Sequence, residues 1–449
     1  MNTEEFNDEI NVVIEKLVYG GYALARYAGK IYMVKNAYPG EFIKIVPKQV
    51  NKNLIFADLK EVIQPSPQRV NTQCSHFPNC GGCQWLDYDY NAQIEAKTEI
   101  IKEQLTRIGK IDNSLVRNTI GSDIKYGYRN RMEFAFQNYR SLKLGLKKAD
   151  SNEVLDIKKC PISPNPFDNI KNRFKDLVEK LELQIYNPKS KKGILKHLVL
   201  RRSFSKNQNM IILVTHTEYL PYENEIKQFF KKNFHPYSLI HLMNSSDKIV
   251  LRGPYRTLLG EGVLLEEFDN FTFQIPPISF FQNNYNVTDK LLKSIVSYLK
   301  DKVNNQATLL DLYSGVGLFS IYLSPLFKHI EAVENSKISV KAAISNSHIN
   351  SINNIRFILA NSKKYLQNNV SKKFDFAIVD PPRKGLENKE IELLSSAIKK
   401  SLIYVSCDPS TLARDLKSFV EKGFNIKIVQ PFDMFPHSYH IESVAILEK

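Results

Sequence analysis

A cysteine just past the carboxyl end of a buried strand can act on a bound molecule, and one stretch of this chain has that form. Leu402-Ile403-Tyr404-Val405-Ser406 is a β-branched and aromatic run that reads as a buried strand, and Cys407-Asp408-Pro409 stops it. Open α/β sheets hold their ligands outside the carboxyl ends of the strands. Upstream the form recurs, where Phe374-Asp375-Phe376-Ala377-Ile378-Val379 runs into Asp380-Pro381-Pro382-Arg383. One strand end carries a thiol and the other a carboxylate, which points to a single active site at one sheet edge. A free cysteine alone is most often an inert buried thiol. Its neighbours make the case for chemistry.

Thr308-Leu309-Leu310-Asp311-Leu312, followed by Tyr313-Ser314-Gly315-Val316-Gly317, reads as strand, glycine turn and helix, without the third glycine of the dinucleotide fingerprint. Ala332-Val333-Glu334 ends a strand at about the distance where an acidic residue holds ribose hydroxyls in such sheets. Ahead of both, Phe280-Phe281-Gln282-Asn283-Asn284 sets aromatics beside carboxamides, a combination that stacks on a heteroaromatic ring and pairs with its edge. With Asp380-Pro381-Pro382, these features suggest an S-adenosylmethionine-dependent methyltransferase rather than a hydride-transfer enzyme. Amino methylation is a rival, because Asp-Pro-Pro resembles the Asn/Asp-Pro-Pro-aromatic loop of base amino-methyltransferases. Arg383 in the aromatic's place, and Cys407 downstream, argue against it. A non-catalytic RNA-binding or assembly factor is a third class, and the retention of every chemically required side chain argues against that.

Four of the five cysteines form a second constellation. Cys74, Cys80 and Cys83 stand close together, with Gly81-Gly82 allowing a tight turn, and Cys160 precedes Pro161 far along the chain. Four thiolates serve either zinc or an iron–sulfur cluster; spacing does not choose, Cys-Pro leans toward the cluster, and His76 is a rival zinc ligand. Metal binding or catalysis suits these cysteines better than a disulfide framework.

The elements that must position these groups divide the 449 residues into three expected domains. From 1 to 66, short alternating runs separated by Gly20-Gly21, Gly29, Pro39-Gly40 and Pro47 predict a small β-barrel. From 67 to 262 lies a central α+β segment. It contains a helical stretch over Asn91 to Gly109 and a strand in which Arg129, Arg131 and Glu133 alternate with Met132, Phe134 and Phe136. Between Lys171 and Gly260 stand 17 lysines and arginines against 7 acids, so a surplus of ten out of a formal charge of +15 sits there. That excess favours a polyanionic partner, nucleic acid first, with its densest part at Lys189 to Lys192, Lys196-His197, Arg201-Arg202 and Lys206. From 263 to 449 lies the α/β domain with the strand ends described above. No apolar run approaches the roughly 18 residues of a membrane span. Met1 to Glu9 is acidic and lacks the regions of a signal peptide, so a cytoplasmic protein without a membrane partner is expected.

Phe281-Gln282-Asn283-Asn284, Asp311-Leu312-Tyr313-Ser314-Gly315-Val316-Gly317, Asp380-Pro381-Pro382-Arg383, Ser406-Cys407-Asp408-Pro409 and Pro436-His437-Ser438-Tyr439-His440-Ile441-Glu442 stand in the order seen in RNA uracil-C5 methyltransferases, which the chain resembles. Gly20-Gly21-Tyr22-Ala23-Leu24-Ala25-Arg26, with Val34 and Pro39-Gly40-Glu41, resembles the TRAM domain, an OB-like RNA-binding barrel. Together with the cysteines, it places the resemblance in the branch that carries a 4Fe–4S cluster and modifies 23S ribosomal RNA. The resemblance implies a Rossmann-like methyltransferase domain, an OB-like barrel and a central RNA-binding domain whose Cys74, Cys80, Cys83 and Cys160 hold the cluster. It implies that residues 86–117 pack with the catalytic domain. Cys407 is then the nucleophile and Glu442 the general base, while Gln282, Tyr313, Glu334 and Asp380 bind cofactor or target uracil. Asn361 stands where many relatives have Asp near the adenine, and Leu318 where some have Asn. Phe280, Phe281, Arg129 and Arg131 are the expected RNA contacts. The expected cofactors are S-adenosyl-L-methionine and the cluster, and the expected partner of a monomeric enzyme is 23S rRNA, with the T-loop of tRNA as the alternative.

Overall fold

The computed structural model describes residues 9–247 and 249–449; residues 1–8, most of the acidic stretch read above, lie outside the described residues. Strands β1 to β5 (Ile10–Val18, Tyr22–Tyr27, Lys30–Val34, Phe42–Asn51, Leu54–Gln64) close into a barrel in the order β1-β2-β3-β5-β4. Val12 and Ile14 point inward on β1 while Val13 is exposed, the alternation that a barrel wall with one dry face requires. Glu41, wholly buried beside the barrel, accepts hydrogen bonds from Arg69 Nε at 2.7 Å and Nη2 at 2.9 Å. The barrel is thereby tied to the segment that follows it.

Helix α1 (Tyr90–Gln104) starts at Asp89, whose carboxylate accepts from the backbone of Asn91 and Ala92. Its Ile100 and Ile101 share one apolar cluster with Leu412, Ala413 and Leu416, far along the chain. Val116 and Ile120 then bridge Val429 and Phe432 in parallel. By packing, this stretch lies against the carboxyl-terminal α/β sheet, although it is contiguous with the central segment.

The central segment builds a seven-stranded sheet from β6 to β12 (Arg131–Asn138, Leu142–Lys147, Val154–Asp156, Leu195–Ser203, Gln208–Thr215, Ser238–Met243, Tyr255–Gly260), in the order β12-β11-β10-β9-β6-β7-β8. Helices α2 (Phe167–Lys180) and α3 (Glu223–Asn233) supply Phe167, Ile170, Phe174, Ile226 and Phe230 to its core. A hairpin of β13 (Leu264–Phe268) and β14 (Phe271–Ile275) leads into α4 (Tyr285–Leu299), capped by Asn284.

The last sheet contains β15 to β21 (Thr308–Leu312, His329–Glu334, Ile355–Leu359, Phe374–Val379, Ile398–Ser406, Asn425–Phe432, Glu442–Glu448), in the order β17-β16-β15-β18-β19-β21-β20. Its first five strands in that order are parallel, and β21 runs antiparallel between β19 and β20. Leu309–Leu312, Phe376–Val379 and Leu402–Val405 are buried throughout, as strands covered on both faces must be. Helices α5 (Leu318–Leu323), α6 (Lys337–Ile349), α7 (Ser362–Asn368), α8 (Asn388–Ala397) and α9 (Pro409–Glu421) make the connections. The strand order reverses between β15 and β18, which opens a crevice at their carboxyl ends. Among the described residues no helix is long and apolar enough to cross a membrane.

Candidate active site

The residues singled out by their chemistry stand around that crevice. Tyr313 follows β15 with φ at 65°, a backbone conformation that non-glycine residues adopt rarely, and its hydroxyl donates to Glu390 of α8 at 2.7 Å. Glu334, at the end of β16, accepts from the backbone N–H of Gly315 at 3.0 Å and of Ser336 at 2.7 Å. One carboxylate thus fixes the glycine turn and the start of α6 together. Asn361 caps α7 from an exposed position. Beneath the turn, buried Asp311 accepts from Ser320, its other oxygen has no partner, and burial raises its pKa to about 7.

Across the crevice, Asp380 ends β18 and receives the amide of buried Gln282 at 3.5 Å. Cys407 follows β19, and Glu442 opens β21 on the neighbouring strand. Electrostatics show that these groups are mutual neighbours. Burial pushes the Cys407 thiol up to about 12, aided by Glu442 and Asp380, while Arg383 opposes the rise. Burial, then Asp380, holds Glu442 well above the carboxylate range, again against Arg383, and burial raises Asp380 to about 7. Glu442 is buried and its Oε1 has no hydrogen-bond partner. A thiol, two carboxyls held toward their neutral forms and one opposing guanidinium make a site poised to move protons and receive a cation.

The Gln282 loop is held by the central sheet, through contacts that no sequence motif announced. Asn130 Nδ2 donates to Gln282 O at 2.8 Å, and Asn130 N to Asn283 O at 3.0 Å. Arg201 of β9, expected to be part of the RNA-facing charge, is only 4% exposed. It donates to the carbonyls of Pro276, Pro277 and Ser279 at 3.0–3.2 Å, and burial lowers its pKa to about 9. Lys196 is likewise buried, donating to Asn244 O, Ser246 O and Asp247. Both correct the reading of that charge cluster: these cations are consumed as internal donors, because strand β9 lies in the middle of its sheet. Lys189, Lys191 and Lys192 remain exposed.

Phe280 is largely exposed, but Phe281, expected to contact RNA, is packed against Phe268 and Phe273 in the core. Arg129 and Arg131 line a groove of about 890 Å³ between the barrel, the cysteine-bearing loop and the central sheet. Tyr22, Lys35, Lys147, Lys148 and Tyr439 also line it. Asn283 and Tyr439 connect the groove to the segments carrying Gln282 and Glu442.

Cys74, Cys80, Cys83 and Cys160 converge on one small pocket with Phe77, Leu86, Leu146, Ile157 and Ile162. Burial raises the Cys160 thiol to about 12 and the Cys80 and Cys83 thiols above their usual value, and neighbouring cysteines add to each rise. Among the described residues, no group of three or more His, Cys, Asp or Glu side chains is disposed to hold a single metal ion. The donor set is that of a metal–thiolate site, but it is not closed around one ion.

A protein-family model described as tRNA (Uracil-5-)-methyltransferase matches residues 89–449. An RNA methyltransferase of Thermotoga maritima is 41% identical over 441 residues, covering 98% of both chains. Another, from Clostridium tetani, is 32% identical over 98% of this chain and 96% of its own. Among solved structures, the Pyrococcus abyssi tRNA (uracil-54, C5)-methyltransferase in complex with S-adenosyl-L-homocysteine superimposes with a TM-score of 0.78. It is 27% identical, over 97% of this chain and 99% of the other. With the parallel sheet, its crevice and the thiol beside two carboxyls, these matches show that the chain belongs to the tRNA (uracil-5-)-methyltransferase family of S-adenosylmethionine-dependent RNA methyltransferases.

Proposed function

We propose that this protein methylates carbon 5 of one uridine in 23S rRNA through a covalent adduct on Cys407. The observation that carries the mechanism is the convergence of Cys407, Asp380, Glu442 and Arg383 at the carboxyl edge of one sheet. Carbon 5 of uracil is too weak a nucleophile to take a methyl group unaided. Cys407 Sγ bonds to carbon 6 as its thiol proton passes to solvent, so that the C5–C6 electron pair becomes an enolate. Gln282, at the ring's polar edge, donates to O4 and stabilises the charge that reaches it, while Asp380 accepts from N3–H. S-adenosylmethionine, when bound in the crevice by Tyr313, Glu334 and Asn361, supplies an electrophilic methyl group on a sulfonium. Carbon 5 takes the methyl group as the methyl–sulfur bond breaks, the electron pair of that bond staying on sulfur as a neutral thioether. Glu442 then removes the carbon 5 proton, the electron pair re-forms C5=C6, and the C6–S bond breaks to release the thiolate. A uridine inside a helix or stack hides both ring faces, so the target is flipped into the site.

Cys74, Cys80, Cys83 and Cys160, which line one pocket, would hold a 4Fe–4S cluster, with zinc the other group that four thiolates serve. Methyl transfer from a sulfonium needs no electron, so a cluster there would serve to hold this loop and position RNA. The second reading, methylation of a tRNA T-loop uridine, is favoured by the whole-chain similarity to the Pyrococcus enzyme. Mass spectrometry of 23S rRNA and tRNA from a strain lacking the protein tests both. Loss of one 5-methyluridine from 23S rRNA supports the first reading, loss from tRNA the second, and intact 5-methyluridine in both overturns both.

A further inference from the structure

Glu442 can take the carbon 5 proton only if the segment between β20 and β21 sets its carboxyl over the reacting ring. That segment, 433–441, is held mostly from outside its own sheet. Asp433 forms a fully buried ion pair with Lys97 of α1, and Lys97 Nζ also donates to Phe435 O at 3.2 Å. The Tyr128 hydroxyl donates to Pro436 O at 3.1 Å. His437 N donates to Gln93 Oε1 at 2.9 Å, and His437 O accepts from both Gln84 N and Trp85 N at 3.0 Å. Gln93 Nε2 in turn donates to Trp85 O at 2.9 Å and Tyr88 O at 2.8 Å, so one wholly buried carboxamide locks the two strands of chain together.

His437 sits at φ 68°, where a side chain with a Cβ is strained unless its surroundings hold it. Its ring stacks on Tyr126 at 4.7 Å, and burial lowers its pKa to about 4, so the ring is neutral and Nε2 is without a partner. Its Nδ1 lies 3.3 Å from Gln93 Nε2, so one carboxamide touches both the ring and the backbone of this residue. Strain at this point persists because hydrogen bonds from residues 84–128 over-determine it.

We propose that Gln93 and Tyr128 are positioning residues for Glu442: they hold the 433–441 turn so that the base reaches the carbon 5 proton. The proposal rests on the uracil-C5 reading above. Thiol attack and methyl transfer use Cys407, Asp380 and Gln282, whose loop meets the turn at its start, where Asn284 Nδ2 donates to Met434 O at 3.3 Å. Gln93 and Tyr128 grip the turn at residues 436 and 437, nearer Glu442, so loosening it there slows the proton-removal step most. In that step the C5–H bond breaks toward Glu442, C5=C6 re-forms, and the Cys407 thiolate leaves carbon 6.

The test uses full-length enzyme with unmodified 23S rRNA and tRNA transcribed in vitro. Gln93→Met keeps the volume and removes the hydrogen bonds; Tyr128→Phe keeps the buried ring and removes one, so it serves if Gln93→Met fails to fold. Each folded variant should transfer methyl in its first turnover within about twofold of the parent but break down its adduct about tenfold or more slowly. A methylated, denaturation-resistant protein–RNA adduct should therefore accumulate. Equal slowing of transfer and breakdown, or no change in either, overturns the proposal. A parent enzyme that forms no adduct on the same RNA transcribed with 5-fluorouridine, whose carbon 5 has no proton to lose, overturns the uracil-C5 reading instead.

Discussion

Ser406 lies opposite Ser443 across the antiparallel pairing of β19 and β21. Cys407 is one residue past the first and Glu442 one residue before the second. Because the strands run in opposite directions, both steps lead off the same sheet edge. Nucleophile and base therefore arrive side by side from strands that a helix and another strand separate in sequence.

Cys407→Ala should lower methyl transfer on the order of a thousandfold or more while leaving S-adenosylmethionine affinity unchanged, since only the thiol can activate carbon 6. Isothermal titration and single-turnover methylation measure the two quantities. Turnover near that of the parent would remove Cys407 from the mechanism.

Glu442→Gln should still attack and methylate but fail to release product. The methylated RNA would migrate with the protein on a denaturing gel. Normal turnover without such a species would reassign the base.

Asp380 and Glu442 are held toward their neutral forms by burial, and a sulfonium favours their ionised forms. Binding S-adenosylmethionine should release protons, so its affinity should rise with pH up to about pH 7 through Asp380, with Glu442, held well above the carboxylate range, adding to the rise. S-adenosylhomocysteine, a neutral thioether, should show a shallower slope. The same raised pKa values make the free enzyme lose stability as pH climbs from about 4 toward 7, because the unfolded carboxyls ionise first. Equal slopes for the two ligands across that range would show that the carboxyls do not face the sulfonium.

Protein purified without oxygen should be brown and hold about four irons, and Cys160→Ser should lose them. Stoichiometric zinc in a colourless protein would replace the cluster reading. Methylation of RNA already bound should persist in either case, since no electron is exchanged.

Reversing Lys189, Lys191 and Lys192 to Glu should weaken RNA binding and flatten its salt dependence by a slope of about 2, because exposed cations release condensed counterions. Arg201→Glu should instead lower the melting temperature, since it buries a carboxylate against the carbonyls of Pro276, Pro277 and Ser279. Unchanged RNA affinity after the triple reversal would move the anchor to Arg129 and Arg131.

Much of the catalytic fold was legible in the chain. Short apolar runs of β-branched and aromatic residues ending in Cys407-Asp408-Pro409 or Asp380-Pro381-Pro382 read as buried strands with polar ends, and the glycine turn before α5 reads as the approach of a ligand. The alternation of the barrel strands and the Gly and Pro turns between them were equally local. Charge was less legible. Arg201 and Lys196 look like any other basic pair in sequence, and only the sheet order, which puts β9 in the middle, shows that they are buried donors. Phe280 and Phe281 are adjacent aromatics, yet the packing of the hairpin turned one out and one in. The grip on the Glu442 turn was invisible for the same reason. Gln93, Tyr128 and His437 carry no motif relating them, because their hydrogen bonds join segments far apart in the chain. Strand and turn chemistry is set by neighbours in the chain, whereas the partner of a buried polar group is set by whichever distant segment the fold brings to it.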